Sequence, residues 1–110
     1  SLNCDLNATS YHLMDGERFA LMKPTSVIIN AARGPIIEEV ALIRALQEKR
    51  IAGAGLDVFE VEPLPVDSPL RSMSNVLLGS HNANSSPEAW EHVHWNTINN
   101  LLSVLEGDVQ

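Results

Sequence analysis

Apolar runs alternate with amphipathic segments along the chain, and this alternation predicts an α/β fold with a parallel sheet and right-handed crossovers. The apolar runs predict strands at residues 1–4, 26–31, 52–58 and 75–78. The amphipathic segments predict helices at residues 16–22, 38–49 and about 86–106. The run at 26–31 is continuously apolar rather than alternating, which predicts a strand covered on both faces.

Capping residues and apolar stripes define these helices further. Asp15 is the expected N-cap of the first helix, Ser86 is that of the last, and Gly107 is the expected stop. In the second helix we expect the buried side to carry Val40, Leu42, Ile43 and Leu46. The last helix has an apolar stripe formed by Trp90, Val93, Thr97, Leu101 and Val104, widened by Ile98, Leu102 and Leu105.

Length, charge and cysteine content narrow the classes of protein that fit. A chain of 110 residues has room for one small domain, and its net charge of −7 argues against a nucleic-acid partner. The apolar runs are too short to span a bilayer, and no secretion signal is readable. The single cysteine excludes an internal disulfide and fits a reducing compartment, so we expect a cytoplasmic protein. We also expect no metal site.

Polar residues of distinctive chemistry follow three predicted strands. Arg33 follows the first of these, Asp57 and Glu62 follow the second, and His81 follows the third. Because ligands of open parallel sheets bind outside the carboxyl ends of the strands, we expect these side chains to share one edge. Arginine binds carboxylates through a planar fork, histidine exchanges protons near neutrality, and a neighbouring glutamate orients the ring and favours imidazolium. The set suits proton transfer beside an anionic substrate, as when hydride reaches a ketone carbon.

Each of these residues also has a simpler interpretation. Arg33 before a glycine and a proline fits a solvated turn, and Glu62 fits an exposed loop acid. A lone histidine such as His81 is more often structural than catalytic, and Asp57 at a strand end fits a turn cap. Their joint placement at successive strand ends is what favours a site.

Longer segments extend this pattern to a known family. Residues 21–34 read LMKPTSVIINAARG and residues 53–65 read GAGLDVFEVEPLP; NVLL at 75–78 and then His81 follow. These motifs resemble those of the D-isomer-specific 2-hydroxyacid dehydrogenases, in the C-terminal part of the NAD-binding domain, and the resemblance extends to about Gly107. It implies a Rossmann-like fold and hydride transfer between NAD or NADP and a small-molecule 2-keto or D-2-hydroxy acid.

The resemblance also implies roles for individual residues. Arg33 matches the substrate-binding arginine, Glu62 the glutamate and His81 the acid/base histidine of the family. Asp57 matches an acid near the nicotinamide. The full set of implied cofactor-binding residues is Cys4, Asp5, Ser10, Ala31, Arg33, Asp57 and His81.

Three departures from the family pattern concern the site. Asp5 replaces the usual proline and adds negative charge beside the cofactor. Gly79 and Ser80 stand where threonine or serine and then proline are usual, so we expect a looser loop before His81. Residues 82–85 replace a glycine-rich stretch.

The sequence lacks the glycine-rich strand-turn-helix that seats the pyrophosphate, and it lacks a separate substrate domain. We therefore expect residues 1–110 to be a fragment, a partial NAD(P)-binding domain without its first half, inactive alone and with weak or no cofactor binding. An open sheet edge and bare apolar faces predict a homo-oligomer. The alternative function is a non-catalytic binding or structural module derived from this family.

Overall fold

The structure, a computed structural model, describes residues 1–107. Its centre is a parallel sheet of three strands in the order β1-β2-β3, which confirms the predicted α/β class. The strands are β1 (Val27–Asn30), β2 (Gly53–Leu56) and β3 (Val76–Leu78). Val27 pairs with Gly53 and Ala54 pairs with Val76, so the carboxyl ends of all three strands meet at one edge.

The strand predicted at residues 1–4 is reduced to a single bridge. Leu2 alone pairs with Asn30, and its N–H donates to the Ile29 carbonyl at 2.9 Å. Turns follow at residues 7–12, where the Ser10 hydroxyl donates to the Asp5 carbonyl at 2.6 Å.

The two faces of the sheet differ, because successive side chains of a strand point to opposite sides. The covered face carries the buried residues Ile28, Asn30, Ala54 and Leu56. On the other face, Val27, Ile29 and Leu77 are 55%, 43% and 78% exposed. The prediction that the 26–31 run is covered on both faces is therefore wrong for the described residues. Both helices that pack on the sheet share one core and lie on the same side.

Helices α1 (Gly16–Leu21) and α2 (Glu39–Gln47) form this covering layer. Helix α1 begins where predicted, because the Asp15 carboxylate accepts a hydrogen bond from the Arg18 N–H at 2.9 Å. Phe19 is the buried residue of α1. Helix α2 contributes Leu42, Ala45 and Leu46 to the same core.

Val40 was expected on the buried side of α2, and that expectation is wrong. Its side chain is 68% exposed. Each helical residue turns about 100°, so Val40 lies about 200° around the axis from Leu42, on the opposite side of the helix. The buried face centres on Leu42, Ala45 and Leu46 instead.

The last helix, α3 (Pro87–Glu106), stands apart from the core. Its N-terminus is capped by the Ser86 hydroxyl, which accepts a hydrogen bond from the Ala89 N–H at 3.1 Å. It ends at Gly107, whose φ of 81° is the left-handed conformation typical of a helix stop. No residue of α3 is buried. Across residues 1–107, the helices lack the combination of length and apolarity that crossing a bilayer requires.

Candidate active site

A histidine and a glutamate meet at the carboxyl edge of the sheet. Nδ1 of His81 lies 2.7 Å from Oε2 of Glu62, and Oε1 of the same carboxylate accepts a hydrogen bond from the Phe59 N–H at 3.0 Å. These two hydrogen bonds hold the pKa of Glu62 below its usual range, and the bond with His81 lowers it more than the bond from Phe59. An ionised carboxylate only accepts hydrogen bonds, so Nδ1 of His81 carries the proton between them.

Asp57 lies directly after β2 and holds the chain that follows His81. Its Oδ1 accepts a hydrogen bond from the Asn82 N–H at 3.1 Å, and its Oδ2 accepts one from the Ala83 N–H at 2.8 Å. The simpler interpretation of this residue, a carboxylate that caps a turn, thus describes a real contact. Asp57 also lines a cleft at the strand ends together with Glu62 and His81.

That cleft has a volume of about 270 Å³. Glu62, Asp57 and Arg71 bring charged groups to it and His81 brings its imidazole, beside a wall that includes Leu64 and Leu78. Arg71 is a member that the sequence did not indicate. Its guanidinium donates to the carbonyls of Leu64 at 2.5 Å and Pro65 at 2.8 Å, and so holds the loop that follows Glu62.

A second cleft of about 320 Å³ lies on the open face of the sheet. Ile29 and Leu77 form part of its apolar floor, and Ala31 lies at the end of β1. Asp57 and Gly79 line both this open-face cleft and the His81 cleft. The two clefts therefore share a boundary at the ends of β2 and β3.

Arg33 lines neither cleft. Its side chain is exposed, and Nη1 donates to the Ala32 carbonyl at 2.7 Å. The loop that carries it is held by Asn30, which is only 1% exposed. The Asn30 side chain donates to the Arg33 carbonyl at 2.9 Å and accepts from the Ala32 N–H at 3.1 Å. The signal for Asn30 was a polar residue at the end of an apolar strand, and the sequence interpretation passed over it.

The N-terminal residues assigned to the cofactor are not among the residues that line the two clefts. Cys4 is half-buried and Asp5 is exposed. The Ser10 hydroxyl is buried and engaged in the turn, because it also accepts a hydrogen bond from the Asn7 N–H at 2.9 Å. None of these three lines the His81 cleft or the open-face cleft.

A further cluster, which the sequence did not indicate, braces the loop before Glu62. Nε2 of His12 lies 2.5 Å from Oε1 of Glu60. Glu60 and Glu39 each accept the other's backbone N–H, at 2.9 and 3.1 Å. The pKa of Glu39 is raised, chiefly by burial of its carboxyl group. The hydrogen bond from the Glu60 N–H opposes this rise, and the nearby charge of Glu60 adds to it. Within residues 1–107, no three His, Cys, Asp or Glu side chains are placed to hold a metal ion.

Comparison with known proteins gives concordant results. Residues 1–83 match the family model described as D-isomer specific 2-hydroxyacid dehydrogenase, NAD binding domain. The chain is 47% identical over 105 residues to a glyoxylate/hydroxypyruvate reductase B of Shigella boydii, covering 96% of this chain and 32% of that protein. It therefore spans about a third of the length of that relative.

Solved structures agree with this assignment. A D-isomer specific 2-hydroxyacid dehydrogenase from Xanthobacter autotrophicus Py2, in complex with NADPH and MES, is 53% identical with a TM-score of 0.68, covering 69% of this chain and 25% of that one. A glyoxylate reductase from Paecilomyes thermophila is 38% identical with a TM-score of 0.85, covering 96% of this chain and 32% of that one. The chain belongs to the D-isomer specific 2-hydroxyacid dehydrogenase family, and its residues correspond to part of the NAD-binding domain.

Proposed function

We propose that this chain is part of the NAD(P)-binding domain of an oxidoreductase that interconverts a 2-keto acid and a D-2-hydroxy acid. His81 exchanges the proton, Glu62 orients its ring, and Arg33 binds the substrate carboxylate. The supporting observation is the 2.7 Å contact between His81 Nδ1 and Glu62 Oε2 beside a cleft at the strand ends. The relative named glyoxylate/hydroxypyruvate reductase B supports small 2-keto acids as the substrate class.

The His81–Glu62 pair suits the proton half of a carbonyl reduction. Glu62 occupies Nδ1, which leaves Nε2 to protonate the carbonyl oxygen while the carbon accepts a hydride. In the reverse direction, the same nitrogen takes the proton of the hydroxyl group. The carboxylate of Glu62 stabilises the imidazolium because the two opposite charges lie within hydrogen-bond distance.

The open-face cleft fits the nicotinamide end of a dinucleotide. Its floor is apolar and Asp57 brings a carboxylate to it, a combination that accommodates a flat ring bearing a carboxamide. We assign this ring to Ala31 and Asp57, with Cys4, Asp5 and Ser10 along the rest of the cofactor. NAD(P)H supplies the hydride when bound. The NADPH complex of the Xanthobacter relative supports a nicotinamide dinucleotide as the cofactor.

Arg33 has the chemistry for the anionic end of the substrate. Its exposed guanidinium donates a hydrogen bond to the Ala32 carbonyl, and a guanidinium has five N–H donors. Two of them, set in a fixed fork, bind a carboxylate by parallel hydrogen bonds. Asn30 holds the backbone of Ala32 and Arg33 through two hydrogen bonds, which restricts the positions that the guanidinium can reach.

A chimera tests this function in a complete framework. The 105 matching residues of this chain replace their counterparts in the Shigella boydii reductase, and NADPH-dependent reduction of glyoxylate and hydroxypyruvate is measured. We expect turnover. His81→Ala should lower kcat by about 10²- to 10⁴-fold with little change in the Kd of NADPH, because a general acid contributes about that much. His92→Ala, on exposed α3, is the matched control and should leave kcat unchanged.

A folded chimera that binds NADPH without turnover would support the alternative, a non-catalytic binding or structural module. Loss of NADPH binding in His81→Ala would contradict the acid/base role. For the 110-residue chain alone we propose inactivity and weak or no cofactor binding, since its sequence lacks a glycine-rich phosphate loop. Calorimetric titration with NAD and NADP checks this, and low-micromolar dissociation constants would refute it.

We propose a cytoplasmic location for the protein. We also propose that the isolated chain self-associates. Its accessible surface is 7709 Å², whereas a compact protein of 12.0 kDa exposes about 6,000 Å². The excess of about 1,700 Å² is about twice the 800 Å² that a standard interface buries on each partner. The exposed apolar face formed by Val27, Ile29 and Leu77 is the expected contact.

Light scattering at several concentrations tests the self-association. Ile29→Ser combined with Leu77→Ser should shift the chain toward monomer, because both substitutions remove apolar surface from the open face. Val66→Ser is the control, since that residue is 92% exposed and lies outside the face. A monodisperse monomer with low binding of a hydrophobic dye would refute self-association.

A further inference from the structure

The loop that presents His81 is held in an unusual backbone conformation. His81 has a φ of 61°, in the left-handed region that residues other than glycine adopt only rarely. Such a conformation persists only where the surrounding structure enforces it. The segment before His81 contains Gly79 and Ser80, where a looser loop was expected. Something outside the loop must therefore hold it.

The end of β2 holds this loop on both sides of His81. Before His81, the Gly79 N–H donates to the Leu56 carbonyl at 2.7 Å. After it, the Asp57 carboxylate accepts the N–H groups of Asn82 and Ala83 at 3.1 and 2.8 Å. Asp57 is itself fixed, because its N–H donates to the Asn30 carbonyl at 3.0 Å.

Gly79 leaves the space in which the Asp57 carboxylate lies. A Cβ atom at position 79 would come 2.2 Å from Asp57 Oδ1, far inside contact distance. Gly79 does not need glycine for its backbone angles, since Gly107 is the glycine with positive φ in the described residues. Glycine at 79 is thus explained by the room it leaves for Asp57.

From these contacts we infer that Asp57 is a positioning residue, whose carboxylate, admitted by Gly79, holds the 82–83 backbone and thereby sets the His81 ring against Glu62. The assignment rests on the proposed role of His81. Asp57 acts here through the protein's own backbone, on the boundary between the two clefts, in addition to any contact with a cofactor.

Titration of the Glu62 carboxyl group, followed by 13C NMR on the 110-residue chain, tests this role. The pKa of Glu62 is lowered chiefly by the bond from His81, and the charge of Asp57 raises it slightly. Loss of the Asp57 charge alone would therefore lower the Glu62 midpoint further. Loss of His81 positioning would raise it. The two effects have opposite signs, which separates a positioning role from simple electrostatics.

In Asp57→Asn and in Gly79→Ala we expect the Glu62 midpoint to rise and the amide signals of Asn82 and Ala83 to shift. Gly16→Ala is the matched control, because a Cβ there meets nothing nearer than 4.0 Å, and it should change neither. Unchanged amide signals in α2 show that a variant is folded. If Gly79→Ala does not fold, Asp57→Asn decides alone.

A Glu62 midpoint that falls or stays unchanged in Asp57→Asn would overturn the inference. This readout needs no turnover, so its failure is distinct from failure of the proposed function, which the chimera's kcat reports. An inactive chimera alongside a raised Glu62 midpoint would leave Asp57 as a positioning residue for a pair that does no chemistry.

Discussion

Gly34 is the position where one added methyl group would most disturb the packing behind the candidate site. It is buried directly after Arg33, and a Cβ atom there would lie 1.8 Å from the Phe59 carbonyl oxygen and 2.6 Å from the Glu60 nitrogen. Ordinary contact needs about 3.5 Å, so Gly34→Ala requires a shift of roughly 1.7 Å. The obstacle is backbone, which cannot rotate aside as a side chain does.

The cost follows from this geometry. Adding a methylene to a well-packed site costs about 1–3 kcal/mol, and a rigid backbone obstacle favours the upper end, about 3 kcal/mol. Urea unfolding at fixed protein concentration measures it. With a slope of about 1.5 kcal/mol per M, the midpoint should fall by about 2 M at unchanged slope. Because the Phe59 N–H anchors Glu62, the amide signals of the loop at 59–62 should move as well.

Gly16→Ala provides the comparison within the same chain. It stands at the first position of α1, where the nearest atom to an added Cβ is 4.0 Å away. Alanine is the better helix former by up to about 1 kcal/mol, so this variant should be neutral or slightly stabilised. Equal midpoints for Gly34→Ala and Gly16→Ala would refute the close approach of residues 34 and 59.

Three further predictions concern the core, the Arg33 loop and the acid/base pair. Leu42→Ala should lower the free energy of unfolding by about 2–5 kcal/mol, whereas Val40→Ala on the opposite side of α2 should change it by less than about 0.5 kcal/mol; similar losses would contradict the helix orientation. Asn30→Ala should cost about 2–4 kcal/mol in the same assay, because two hydrogen bonds in a buried site are lost, while exposed Asn100→Ala should be near neutral. The pKa of Glu62 is lowered in the folded protein, so its ionised carboxylate stabilises the fold. This stabilisation is fully present at pH values above the ordinary carboxyl pKa and is lost as the pH falls through the lowered pKa of Glu62. The difference in urea midpoint between wild type and His81→Ala should therefore close on acidification from pH 6, with His92→Ala as control; a gap that stays constant would argue against the pairing.

The sequence predicted those features that depend on local pattern or on strand order. Except for the strand expected at residues 1–4, the positions of the strands and helices follow from apolar runs and caps, and the meeting of Glu62 with His81 follows from the shared edge of parallel strands. The exposure of Val40 was not predicted, and the 26–31 run was expected to be covered on both faces, although a bare apolar face was expected for the chain as a fragment. Both depend on which elements pack against which side, and that information is non-local.

Several members of the site were missed for a related reason. Asn30, Glu60 and Arg71 act through bonds to backbone groups, some of them distant in sequence. No residue type or spacing marks the bonds of Glu60 and Arg71, whereas a polar residue at the end of an apolar strand was the overlooked signal for Asn30. Arg33 was expected among the converging side chains, yet it lines neither cleft. Its side chain is exposed, so packing against the protein does not direct it toward either cleft.

Helix α3 has a thermodynamic consequence of its own. With 20 residues and none of them buried, it draws almost no support from tertiary packing. Most helical stability in proteins comes from tertiary packing, and the helicity of an unpacked helix depends on temperature, so α3 should melt by the broad, weakly cooperative course of a helix–coil transition. The sheet with α1 and α2 should instead melt sharply. Circular dichroism on heating would then show a gradual loss of helix before the main transition, and amide hydrogens of α3 would exchange long before those of α2.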